Sequence, residues 1–154
     1  MDTSSLNVSL LRKQIGLVRH SLQRARQLAA LDEAQFLSSE DNFLIADSLL
    51  RRALEAMLDA GRHVVAKMGL GHADQYADIP RILGDRSIIP ASVAEKAAGL
   101  ARLRTRLVHL YWQVTPAEMH SLLRTRLDDL AAFCDALLRL AETAESRPRR
   151  NRKG

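Results

Sequence analysis

The sequence predicts an all-α fold, an up-and-down four-helix bundle with a short extra helix. Three observations support this prediction. Leucine and alanine dominate the apolar residues and aromatic residues make up only 4% of the chain, a balance that favours helices over strands. Apolar residues recur at spacings of three and four along four long segments. Short connections that contain glycine or proline join these segments, as between antiparallel neighbours in a bundle.

The first two predicted helices cover about residues 6–31 and 41–68. A broad stripe of leucine, isoleucine and valine runs along the first helix, and a similar stripe marks the buried side of the second. Ser39 or Asp41 can cap the start of the second helix, and Gly69 stands at its end, where helices favour glycine.

Residues 69–90 connect the second helix to the third. Pro80 and Pro90 interrupt any long helix in this region, so only a short helix is predicted, at residues 76–83. Pro90 suits the first turn of a third long helix at about residues 91–113. Thr115 is a cap followed by Pro116 at a first helical position, which starts a fourth helix that runs to about residue 145.

The basic charge of the chain is concentrated at its C-terminus. Of 23 basic residues, five lie in residues 146–154, which hold no acidic residue. Residues 1–145 therefore carry 18 basic and 18 acidic side chains, and they are predicted to form one domain. The basic segment 146–154 is predicted to be a disordered tail, which either adds salt-sensitive attraction to RNA or only aids solubility.

The single cysteine, Cys134, lies in an apolar helical run and excludes an internal disulfide; a buried, inert thiol is expected. The N-terminal residues lack the pattern of a signal peptide, and no segment has the roughly 20 apolar residues that span a bilayer. We expect a cytoplasmic protein. The histidines show no metal-ligand spacing, so neither a metal site nor a cofactor is predicted.

Residues 104–111 of the predicted third helix contain the candidate functional residues, because Arg104, His109 and Tyr111 lie among apolar residues there. Arg104 and Tyr111 are seven residues apart and are expected to share one flank of the apolar stripe. On a regular helix, five residues place Arg104 and His109 roughly 140° apart. A site made by one helix would therefore need a local distortion of that helix, or a second copy of the chain across a two-fold axis.

The pattern Arg-x4-His-x-Tyr resembles the motif of HEPN ribonucleases, and the tyrosine two places after the histidine resembles the HepT branch. HepT is the toxin half of the HepT–MntA type VII toxin–antitoxin pairs. The likeness covers roughly residues 8–140 and includes the segments 54–65, 88–95 and 126–130. Thr105 occupies a polar position of the motif where most relatives have asparagine.

This resemblance implies a HEPN-like fold and a homodimer that cleaves RNA without a metal ion. The ribose 2′-OH would attack the adjacent phosphate, His109 would transfer the proton, and Arg104 would hold the phosphate. Arg102 and Arg106, outside the motif positions, could guide RNA to the cleft. The resemblance also implies an MntA-like nucleotidyltransferase antitoxin that transfers AMP to the hydroxyl of Tyr111 and so silences the toxin.

Two further questions stay open at the level of sequence. Glu55 and Asp59 form an acidic pair one turn apart, which either pairs with nearby basic residues on a solvated face or orients the arginines of the motif helix. The chain could also be a non-catalytic helical partner of a nucleotidyltransferase, an alternative that its neutral body slightly favours.

Overall fold

The computed structural model describes residues 2–146, which form six α-helices and one 3-10 turn, with no strand in this part of the chain. The helices are α1 (Val8–Ala29), α2 (Glu33–Leu37), α3 (Glu40–Lys67), α4 (Asp78–Asp85), α5 (Ala91–His109) and α6 (Pro116–Ser146), and the 3-10 turn is Tyr111–Gln113.

Local hydrogen bonds start several of the helices. The side chain of Asn7 accepts the N–H of Leu10 at the start of α1. Asp32 and Gln35 form a reciprocal capping box at α2. Thr115 Oγ1 accepts the N–H of Glu118 at 3.2 Å, which confirms Thr115 as the cap of α6, whereas Ser39 makes no side-chain cap at α3.

The four long helices, α1, α3, α5 and α6, form the bundle. α1 packs on α3 and α6, and α5 packs on α3 and α6 across the core. The ion pairs Arg12–Glu145 and Arg26–Asp128 show that α1 and α6 run antiparallel, because the sequence number falls along one helix as it rises along the other. Short α4 covers one side of α5 and α3. The all-α prediction is thus confirmed.

Some element predictions are wrong in detail. Residues 33–37 form the additional short helix α2, whose length is too small to give a periodic pattern. The third long helix ends at His109 instead of continuing to Gln113. Leu110 has φ −127° and ψ 33°, outside the helical range, and the next residues make a 3-10 turn that buries Val114. The short helix predicted at residues 76–83 is α4, which begins at Asp78, two residues later than predicted.

The remaining sequence predictions concern the C-terminal part of the chain. Cys134 is buried on α6, as expected. Ser146 is the last residue of α6, so it does not belong to the predicted tail, and the rest of that tail, residues 147–154, lies outside the described residues. Between residues 2 and 146, no helix is long and apolar enough to cross a membrane.

Candidate active site around Arg104, His109 and Tyr111

Arg104 is held inside the molecule by two partners from distant parts of the chain. Its side chain is only 14% exposed, and its Nε donates a hydrogen bond to Glu55 Oε1 on α3 at 2.5 Å. The carbon of its guanidinium lies 4.3 Å from the ring centroid of Tyr76, which precedes α4. The guanidinium of Arg62 lies over the same ring at 5.2 Å.

A second carboxylate faces this cluster. The pKa of Asp59 is raised, first because burial disfavours its charged form and then because Glu55 carries a like charge; Arg62 and Arg104 act in the opposite direction. Of the two interpretations of the acidic pair, the structure therefore supports the one in which Glu55 orients an arginine of the motif helix.

The side chain of Arg104 lines a cleft of about 580 Å³ between α1, α3 and α5. Its apolar wall includes Leu17, Ala56 and Val108, and its polar groups include Arg52 and His20. Neither His109 nor Tyr111 lines this cleft. The cleft is large enough for a nucleotide-sized group, because small-molecule sites begin at about 300 Å³.

His109 lies on a different side of α5. It is the last residue of the helix and is exposed. Because α5 is a regular helix from Ala91 to His109, the angular offset of roughly 140° from Arg104 is not removed by a local distortion. Within one protomer, the guanidinium and the imidazole point in different directions.

Two other predicted residues lie on the side of α5 that His109 shares. Arg102 is seven residues before His109 and therefore has nearly the same direction around the axis. Arg102 and Thr105 line a second groove, of about 510 Å³, whose opposite wall contains Gln75 and Tyr76. Tyr76 thus lines this groove and also contacts the guanidinium of Arg104.

Arg106 differs from Arg102 because it has a partner. Both of its terminal nitrogens donate to Glu118 on α6, Nη2 to Oε2 at 3.0 Å. This pairing raises the pKa of Arg106 and lowers the pKa of Glu118 through the hydrogen bonds between them. The bridge ties the end of α5 to the first turn of α6, across the 3-10 turn. Any contact of Arg106 with RNA would have to compete with Glu118.

Tyr111 lies in the 3-10 turn and its side chain points outward. It is 64% exposed, and its ring meets Trp112 edge-on at 5.5 Å, with the two ring planes 82° apart. The prediction that Tyr111 shares a helix flank with Arg104 is wrong, because α5 ends before Tyr111 and helical phase no longer applies. Tyr111 is nevertheless largely exposed to solvent.

Two histidines outside the motif, one buried and one half-buried, have hydrogen-bond partners. His120 is buried, bonds through Nε2 to the carbonyl of Leu31 at 2.7 Å, and packs against the ring of Phe36. His63 Nε2 accepts the N–H of Asn7. Residues 2–146 contain no group of three or more histidine, cysteine, aspartate or glutamate side chains placed to hold a metal ion.

Sequence reasoning did not identify Tyr76 as part of the site. Tyr76 lies in a connection without apolar periodicity, and it is 28 residues from Arg104 in sequence, so neither spacing nor motif joins the two. A tyrosine just before a short helix was the only available signal, and that signal is not specific.

A family model described as ribonuclease HepT-like matches residues 18–137. The chain belongs to the HepT-like ribonuclease family. The matched range contains Glu55, Tyr76, Arg104, His109 and Tyr111.

Three known proteins are similar to this HepT-like chain. One is named tRNA nuclease HepT, from Aphanizomenon flos-aquae, and is 24% identical over 110 residues, 71% of this chain and 75% of the relative. The structure of YutE, a cytosolic protein of unknown function from Bacillus subtilis, has a TM-score of 0.80 and 22% identity, covering 95% of this chain and 97% of YutE. A tri-AMPylated Shewanella oneidensis HEPN toxin, in complex with an MNT antitoxin, has a TM-score of 0.75 and 20% identity, covering 89% and 98%. The two structures establish a shared all-α, HEPN-like fold.

Proposed function

We propose that this protein is the toxin of a type VII toxin–antitoxin pair and acts as a metal-independent endoribonuclease in the cytoplasm. The observation that carries the proposal is the match of most of the chain to a ribonuclease family. In the matched part of this chain, the largely buried guanidinium of Arg104 faces a cleft, and the imidazole of His109 is exposed on the same helix. The relative named tRNA nuclease HepT makes RNA the substrate class to test first.

The proposed reaction uses one imidazole and one guanidinium. His109 removes the proton from a ribose 2′-OH, whose oxygen forms a bond to the adjacent phosphorus. The bond from phosphorus to the 5′-oxygen then breaks, and the protonated His109 gives its proton to that oxygen, leaving a 2′,3′-cyclic phosphate and a 5′-hydroxyl. Arg104 donates to the phosphate oxygens and stabilises the charge that develops on them. Arg102 and Arg106 supply further positive charge for RNA, with Arg106 less available because of Glu118.

The active unit proposed here is a homodimer. Arg104 and His109 of one protomer point roughly 140° apart, and this offset supports a phosphate site shared across a two-fold axis. In that arrangement, the guanidinium of one protomer and the imidazole of its partner meet the same phosphate.

The proposed regulation acts through Tyr111. An MntA-like nucleotidyltransferase would present ATP to the exposed hydroxyl, which forms a bond to the α-phosphorus and releases pyrophosphate. The AMP group adds a bulky anion beside the motif, which would compete with RNA for the arginines. The AMPylated HEPN toxin that shares this fold supports the proposal.

The first test is RNA cleavage in EDTA by the purified protein and two variants, Arg104→Ala and His109→Ala. Both variants are expected to lose cleavage and to relieve growth arrest in a host that expresses the chain alone. Arg139→Ala and His72→Ala are matched controls, because both positions are exposed and lie outside the clefts around Arg104 and Thr105. Full cleavage by both motif variants would refute the mechanism, whereas no cleavage by the purified wild-type protein would favour the non-catalytic alternative.

A mixing experiment tests the shared site. Co-refolded Arg104→Ala and His109→Ala chains form heterodimers in which one protomer keeps the arginine and its partner keeps the histidine. If the site is shared, cleavage returns in the mixture. If both groups act within one protomer, the mixture stays as inactive as its components.

The regulation is tested by mass spectrometry after incubation with an MntA-like enzyme and ATP. The chain has two tyrosines, so Tyr76→Phe is a matched control for Tyr111→Phe. The mass of AMP should be added to the wild type and to the Tyr76 variant but not to the Tyr111 variant. Addition to the Tyr111 variant would place the modification elsewhere.

A further inference from the structure

Tyr76 and Glu55 hold different parts of the Arg104 side chain. Glu55 accepts from Nε, at one edge of the guanidinium, whereas the guanidinium carbon lies over the ring of Tyr76, 4.3 Å from its centroid. Within residues 2–146, the two terminal nitrogens of Arg104 make no hydrogen bond of their own. The guanidinium is therefore held by two contacts, while the end that can donate two parallel hydrogen bonds is left available.

The backbone around Tyr76 is well anchored. Tyr76 is half-buried, and its carbonyl accepts the N–H of Ile79 at 3.2 Å as α4 begins. Asp78 closes the same turn by accepting the N–H of Gln75 at 2.9 Å. Ile79 and Pro80 follow directly and are buried. The aromatic face thus has a defined position relative to α5.

We propose that Tyr76 is a positioning residue for Arg104, an aromatic platform that keeps the guanidinium in the orientation needed to bind a phosphate. This inference rests on the catalytic role proposed above for Arg104. A cation within about 6 Å of an aromatic centroid is attracted to the ring, and the attraction grows where water is excluded. At 4.3 Å and 14% exposure, Arg104 meets both conditions.

A cation–π contact depends on the aromatic ring of Tyr76 and not on its hydroxyl, which predicts how substitutions at Tyr76 affect cleavage. The ring face makes the contact, so Tyr76→Phe should keep the orientation of Arg104 and retain cleavage. Tyr76→Leu keeps an apolar side chain but removes the quadrupole, and a planar guanidinium held only by its Nε–H hydrogen bond to Glu55 can pivot about that hydrogen bond. We expect kcat/KM for RNA cleavage to fall by about 2-fold to 30-fold in Tyr76→Leu, the range of a cation–π contact.

The experiment combines these variants with Arg104→Gln and measures the affinity for a 2′-deoxy-substituted, non-cleavable RNA oligonucleotide as well as kcat/KM. The expected result is that Tyr76→Leu weakens RNA binding in the wild-type background and has no further effect in the Arg104→Gln background. The proposed role of Tyr76 would be refuted if Tyr76→Leu weakened RNA binding equally in both backgrounds. It would also be refuted if Tyr76→Phe and Tyr76→Leu lowered kcat/KM equally.

A second measurement does not depend on the folding of a variant. In the wild-type protein, the Nε–H proton of Arg104 lies near an aromatic face and bonds to Glu55, so its NMR signal should be shifted by the ring and exchange slowly with water. A signal at the position of a free arginine would overturn the inference. Wild-type cleavage by Arg104→Gln would instead refute the proposed function itself, whereas an inactive Arg104→Gln with a fully active Tyr76→Leu would refute the platform alone.

Discussion

Gly61, in the middle of α3, provides a quantitative test of how the helices approach one another. A Cβ atom added at Gly61 would lie 2.7 Å from Ile79 Cγ2 and 3.2 Å from Phe133 Cζ. Ordinary carbon contacts are about 3.5–4.0 Å. Ile79 and Phe133 are fully buried, so neither can move without displacing α4 or α6. Gly61 thus allows the close approach of three helices.

The two energetic effects of Gly61→Ala oppose each other. Alanine is favoured over glycine in a helix by about 1 kcal/mol. Overpacking a well-filled core destabilises by about 1–3 kcal/mol. Gly16, on α1, is the matched control, because it is exposed and an added Cβ has nothing within 4 Å. Gly16→Ala keeps only the favourable effect, so the two variants should differ in free energy of unfolding by about 1–3 kcal/mol.

The assay is urea unfolding at one fixed protein concentration, since the proposed dimer would make apparent stability depend on concentration. A thermal melt should show the same order, with Gly61→Ala melting about 2–12 °C below Gly16→Ala at about 2–4 °C per kcal/mol. An equal gain in stability by Gly61→Ala and Gly16→Ala would refute the close approach of α4 and α6 to α3 at Gly61.

Three further predictions concern other buried groups. Burial and Lys67 lower the pKa of His63. The stability that neutral His63 contributes is therefore present above pH 6.5 and is lost as the pH falls through the folded-state pKa of His63. His63→Gln keeps an acceptor for the N–H of Asn7 and should make the free energy of unfolding in urea less dependent on pH below pH 6.5. Burial raises the pKa of the Cys134 thiol to about 12, so a thiol reagent should react only after the protein is unfolded in urea, and rapid reaction with the native protein would contradict this. His120→Leu leaves the carbonyl of Leu31 without its partner and should lower the free energy of unfolding by about 1–3 kcal/mol, while an unchanged melt would show that the bond to Leu31 contributes nothing.

The local parts of this protein could be predicted from sequence. Helical periodicity and capping residues act over a few neighbours, which is why α1, α3 and α6 and the cap at Thr115 were predicted close to their observed positions. The end of α5 was harder to predict, because Leu110 and Val114 continue the apolar spacing. Tyr111, Trp112 and Val114 have weaker helix propensities than leucine or alanine. Pro116 also disfavours a helical conformation in the residue before it. The helix therefore ends before Leu110 and does not continue to Pro116.

The sequence by itself determined that long amphipathic helices form and that an arginine and a histidine stand five residues apart on one of them, because both properties belong to consecutive residues. Only the tertiary structure decided how that arginine is held. Glu55 and Tyr76 reach Arg104 from other elements, 49 and 28 residues away, and an ion pair and a ring contact over such separations arise only when the helices pack.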